Sequence, residues 1–154
     1  MTTRAALIAV VIVTIACTSP TEVKSVTSPA LTGGHLGSLG TAGCKPAAGF
    51  PEAGMDTSRG SIWAFFFDPL PPRVGQEQKV LWRMTGEGDF TFKVSDMAGN
   101  TVPLISGPTE HGPSSWVHPG NEVGTFFKFP HTGCWQIHIA KPEVDADLWL
   151  EVAA

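Results

Sequence analysis

The chain has 154 residues, with ten Lys and Arg against fourteen Asp and Glu, a formal charge of −4 and no basic cluster. That balance excludes phosphate-backbone recognition, and hence nucleic acid as a partner, and it offers no polybasic segment to anionic lipid. Seventeen Gly, thirteen Pro, nine Phe, five Trp and no Tyr disfavour helix and favour short strands separated by turns.

Arg4 opens the chain's only long apolar run, Ala5 to Ala16. A run of this length covers about 18 Å as a helix, short of the roughly 30 Å hydrocarbon core, so it reads as the helix of a secretion signal and not as a membrane span. Cys17 follows Thr14-Ile15-Ala16 and precedes Thr18-Ser19-Pro20, which looks like a bacterial lipobox with Cys17 as the lipidated residue. Thr14 departs from the large aliphatic residue usual at that position. Removing this signal takes away Arg4 and leaves nine Lys and Arg against fourteen Asp and Glu, a charge of −5. Residues 1–17 are thus read as a lipoprotein signal peptide. Residues 18–43, rich in Ser, Thr, Gly and Pro, form a disordered tether, since they cannot bury enough apolar surface to offset the entropy of ordering. Residues 44–154 form one domain, whose first stretch, Lys45 to Gly60, is broken by Pro46, Gly49, Pro51 and Gly54 and is expected to be extended or irregular.

Period-two alternation then marks the strands. Ser61 to Phe67 places Trp63, Phe65 and Phe67 on one face. Gln78 to Met84 divides Val80, Trp82 and Met84 from Lys79, Leu81 and Arg83. Gly86-Glu87-Gly88-Asp89 turns the chain into Asp89 to Asp96, with Phe90, Phe92 and Val94 on one side, and Ala98-Gly99-Asn100 leads into Thr101 to Ile105. Strands resume at Gly124 to Phe129, Cys134 to Ala140 and Asp147 to Val152. About seven strands at this spacing predict an all-β fold, an antiparallel sandwich. Trp63, Trp82 and Trp135 each join an apolar stripe and are expected in the core.

Phe129-Pro130-His131-Thr132-Gly133-Cys134-Trp135-Gln136-Ile137 resembles the FPxxGCWxI signature of a family of uncharacterised bacterial lipoproteins. Pro119-Gly120-Asn121-Glu122, Val80-Leu81-Trp82-Arg83 and Asp147-Leu148-Trp149-Leu150 fit it as well, so the resemblance runs over roughly residues 78–152. The strand, turn and strand order around the motif is similar to the E, F and G strands of immunoglobulin-like sandwiches. The resemblance implies that fold and a cell-envelope setting, and it carries no reaction or cofactor.

With Cys17 lipidated, Cys44 and Cys134 are left to pair, and an exported compartment favours the disulfide. Alternation puts Trp135, Ile137 and Ile139 on one face and Cys134, Gln136 and His138 on the other, so the bridge is expected on the outside of the sheet. A β-bulge near Gly133 is the alternative that would turn Cys134 inward.

The candidate binding region is 103–124, a connection of about twenty residues without clear strand pattern, which binds something, moves or hides a short strand. It carries Glu110, His111, Ser114, Ser115, Trp116, His118 and Glu122. His111 and His118 with Met84 or Met97 suit a copper-type metal site, although the tight ligand spacing of structural metal sites is missing. Ser114 or Ser115 with a histidine and Glu110 supplies the residue types of a hydrolytic triad without a Gly-x-Ser-x-Gly elbow. The carboxylate pairs Glu87 with Asp89 and Asp145 with Asp147 fall at turns and strand ends, and no catalytic residue is assigned. Trp116 and Trp149 are candidate exposed contacts to a protein or glycan. The expectation is therefore a non-enzymatic binding or structural module without cofactor, held by its acylated N-terminus to the lipid bilayer on the extracytoplasmic side. The alternatives are metal binding or delivery through the 103–124 loop and ligand sensing beside a membrane partner.

Overall fold

The computed structural model describes residues 34–40, 44, 51–112 and 114–154, and the expected signal peptide with Cys17 and most of the expected tether lie outside them. Ten strands build two five-stranded sheets, with no helix among the described residues. Sheet A takes β1 (Gly34–Leu39), β10 (Val144–Val152), β9 (Gly133–Lys141), β5 (Thr91–Asp96) and β6 (Thr101–Val102) in that order. Sheet B takes β2 (Glu52–Thr57), β3 (Gly60–Phe66), β4 (Glu77–Met84), β8 (Asn121–Lys128) and β7 (Ser106–Glu110). The runs β3-β4-β8-β7 and β10-β9-β5-β6 reproduce the A-B-E-D and G-F-C-C′ sheets of an immunoglobulin-like sandwich, with β2 as an extra edge strand.

Alternation explains most of the core. Val80, Trp82 and Met84 of β4 and Val123, Thr125 and Phe127 of β8 face Trp135, Ile137 and Ile139 of β9 and Leu148, Leu150 and Val152 of β10. Trp82 has no exposed surface, and its indole N–H donates to the Thr125 hydroxyl at 2.7 Å, so the polar edge of the largest core ring is satisfied.

Three expectations are corrected. Seven strands become ten. The tether gives way to structure at Gly34 and not at residue 44, because β1 pairs in parallel with β10 and buries Leu36 and Leu39; backbone pairing to an open sheet edge orders a segment whose side chains alone would not. The stretch before Gly60, expected to be extended or irregular, contains an extended strand, since β2 forms a hairpin with β3. Of the readings left open for the 103–124 connection, the hidden short strand is found: β7 pairs with β8.

Trp63 is the third correction. Ile62, Ala64 and Phe66 face the core, while Trp63, Phe65 and Phe67 lie on the outer face of sheet B. Both alternating sets of this strand are apolar, so periodicity could not choose between them.

The disulfide joins Cys44 to Cys134 with 5.3 Å between Cα atoms. β9 pairs with β10 in unbroken register from Gly133, so no bulge intervenes and Cys134 stays on the outer face of sheet A, half-buried, while Trp135 beside it is fully buried. A bridge between residues 90 apart removes about 4 to 5 kcal/mol of chain entropy from the unfolded state in the loop-closure account.

Candidate functional site

Between β7 and β8 the chain passes over the outer face of sheet B, held there by two carboxylates on different strands. Glu122, the second residue of β8, lies directly across from Arg83 of β4. This register brings the Arg83 Nε to 2.7 Å from Glu122, and the same guanidinium donates to the His118 carbonyl at 2.7 Å. The Ser114 hydroxyl donates to Glu122 at 2.7 Å and His111 Nδ1 donates at 2.9 Å. Burial pushes the Glu122 pKa up, but the Ser114, Arg83 and His111 interactions outweigh it, and the carboxyl ionises below its ordinary value of 4.5.

Glu52 on β2 provides the second hold, since its carboxylate accepts from His118 Nε2 at 2.8 Å and from the Trp116 indole at 3.3 Å. The His118 ring stacks on Trp63 at 3.8 Å between centroids and 13° between planes. Trp63 can lie flat because its cross-strand partner is Gly54, where a Cβ would come within 2.1 Å of the indole. Trp116 lies 5.8 Å from Phe65, which meets Phe67 edge-on at 5.3 Å. An aromatic surface thus covers the outside of β3 and is immobilised by the loop above it.

Beside Trp116 the surface sinks into a hollow of about 520 Å³ with a floor of Phe65, Phe67 and Leu81. Ser114 and Ser115 form part of its rim. At one end the Lys79 ammonium sits 4.3 Å from the Phe67 centroid and 5.9 Å from that of Phe126.

Of the residues singled out in the sequence, the structure brings His111, Ser114 and Glu122 into one network and Trp116 and His118 into another. Glu110 stays exposed at the end of β7, lining with His111 a separate cleft next to Asp89 and Phe90. Trp149 is half-buried on the outer face of sheet A, on the opposite side of the sandwich from Trp116. His111 and His118 are each bonded to a carboxylate, and among the described residues no group of three or more His, Cys, Asp or Glu side chains is arranged to hold a metal ion. Ser114 directs its proton to Glu122 and accepts the Trp116 backbone N–H, and no serine bonds a histidine among the described residues. The metal and hydrolase constellations therefore gain no geometric support.

Glu52, Phe65, Phe67, Lys79 and Arg83 were missed as parts of this site. The grouping of Lys79, Leu81 and Arg83 on one face of β4 was the available signal, because that face is the floor under the loop. No protein-family model matches the chain, and neither a curated protein nor a solved structure matches it.

Proposed function

We propose that this chain is an exported, lipid-anchored, non-enzymatic binding module of the bacterial cell envelope, related to the FPxxGCWxI lipoproteins, with the outer face of sheet B as its contact surface. The observation that carries the reading is the pinned loop: Glu122 and Glu52 fix Trp116 and His118 over Trp63 and Phe65, a preorganised aromatic surface with little side-chain entropy left to lose on binding. The Cys44–Cys134 disulfide supports the exported setting, because such bridges persist in oxidising compartments, and it leaves Cys17 as the remaining thiol for acylation. A ligand-sensing role beside a membrane partner would use the same surface.

The test is expression of the full chain in a bacterial host with labelled palmitate, followed by membrane fractionation and cross-linking. Wild type is expected to carry the label and sediment with membranes, and Cys17→Ala to lose both. Trp116→Ala is expected to stay anchored and to lose its cross-linked partner or bound glycan. An unlabelled wild-type chain, or unchanged capture by Trp116→Ala, overturns the corresponding half of the proposal.

A further inference from the structure

We propose that the hollow between Lys79 and Trp116 is a binding site for a small amphipathic carboxylate, a carboxylic acid whose apolar body lies on Phe65, Phe67 and Leu81 and whose carboxylate pairs with the Lys79 ammonium. The inference rests on the reading of this face as the contact surface and names the chemistry of what it takes.

Charge is the first argument. The chain is acidic overall, yet this end of the hollow is cationic. Glu122, near the rim through its bonds to His111 and Ser114, is neutralised by Arg83 at 2.7 Å. Glu77, two positions from Lys79 along β4, lies directly across from Lys128 of β8. No carboxylate comes within ion-pair distance of Lys79 among the described residues, whose contacts are instead the faces of Phe67 and Phe126. An ammonium over aromatic rings keeps its N–H donors available to an incoming anion, and a charge-assisted bond in a partly desolvated hollow is stronger than one in open water.

Shape and lining form the second argument. Phe65 of β3 and Leu81 of β4 are direct cross-strand partners, so the floor belongs to the sheet, while Trp116 stands at the side on a loop already immobilised by Glu52. An apolar floor with a few polar groups at the margin is the usual make-up of a small-molecule site, and a volume of about 520 Å³ lies in the range such sites occupy. A bare sugar would find rings but few acceptors here. Trp63, the flattest platform, already has His118 stacked against it.

The measurement is isothermal titration of the full-length chain in lipid nanodiscs, with empty nanodiscs as blank. The probes are 3-phenylpropionate, its neutral counterpart 3-phenylpropanol and chitotetraose. The acid is expected to bind one to one, and the alcohol about tenfold more weakly or worse, as loss of a charge-assisted bond implies. Lys79→Met keeps the apolar stem and is expected to weaken the acid about tenfold while leaving the alcohol and the thermal midpoint unchanged. Trp116→Ala should weaken both probes alike. Equal binding of acid and alcohol, or an acid affinity indifferent to Lys79→Met, overturns the proposal. Chitotetraose binding that Trp116→Ala abolishes, with no acid binding, overturns the ligand class and keeps the contact surface. Failure of all three probes overturns the ligand class as well, and the reading of the face then falls only if Trp116→Ala also leaves cross-linked capture unchanged.

Discussion

The two outer faces of the sandwich have opposite chemistry although their inner faces are nearly alike. Outside sheet A, histidines and carboxylates run in a row: His35 pairs with Asp145 at 2.5 Å, Asp147 lies between His35 and His138, and Lys93 is the cross-strand neighbour of His138. The disulfide sits on the same face, where Cys134 is opposite Glu151. Outside sheet B lie Trp63, Phe65, Phe67 and Trp116, with two carboxylates used to hold the loop. Polar pairs and a covalent bridge bind the incoming N-terminal segment to sheet A. Aromatic area is kept for sheet B. The described parts of that N-terminal segment, β1 and Cys44, are both attached to sheet A.

The largest test of this division is the disulfide. Cys44→Ser with Cys134→Ser is expected to lower unfolding stability by about 4 kcal/mol in denaturant titration. Amide exchange should rise most in β1 and the end of β9, while the fluorescence of Trp116 and Trp63 in the folded state stays as it was. A change centred on sheet B would break the assignment of attachment to sheet A.

Glu122→Gln comes next, because it leaves the Arg83 guanidinium, with a side chain only 16% exposed, facing a neutral partner. A loss of about 2 to 3 kcal/mol is expected, together with higher exchange in the 111–120 loop. The pH dependence carries the same signature. Since the folded pKa of Glu122 lies below 4.5, its ionised form stabilises the fold above that pH, and the contribution is lost as pH falls through the folded value. Thermal midpoints measured across the acid range should therefore fall less steeply for Glu122→Gln than for wild type.

The smallest effect belongs to His35→Ala. Its ion pair with Asp145 is exposed, 45% and 30% for the two side chains, and is worth about 0.5 kcal/mol at most. Faster exchange is expected in β1 alone, with ligand capture on sheet B unchanged. An effect on capture would show that the two faces are coupled.

Legibility varied with the local pattern. Strands β4, β5, β9 and β10 were readable because one alternating set was clearly more apolar than the other, and the outward direction of Cys134 followed from the same parity. Strand β3 failed that test, with bulky apolar side chains on both faces, and the site's aromatic floor was taken for core. β1 was missed, and β7 was only one of several readings of its segment, because their order comes from backbone pairing to β10 and β8, and four of the five β7 side chains are small or turn-forming. Glu52 had no local signal at all. It lies 66 positions from His118 and acquires its role when β2 folds back against β3.

Amino-acid order alone was enough to specify an acidic all-β sandwich and to single out the Cys44–Cys134 pair that the structure joins. These are properties of composition, spacing and period, which short-range rules can read. Which face of β3 turned outward, which carboxylates seized the loop, and the meeting of Lys79 with Phe67 and Phe126 depended on the pairing of distant strands. Local sequence says only that such a side chain is apolar or charged, and its partner is selected by the register of the assembled sheets.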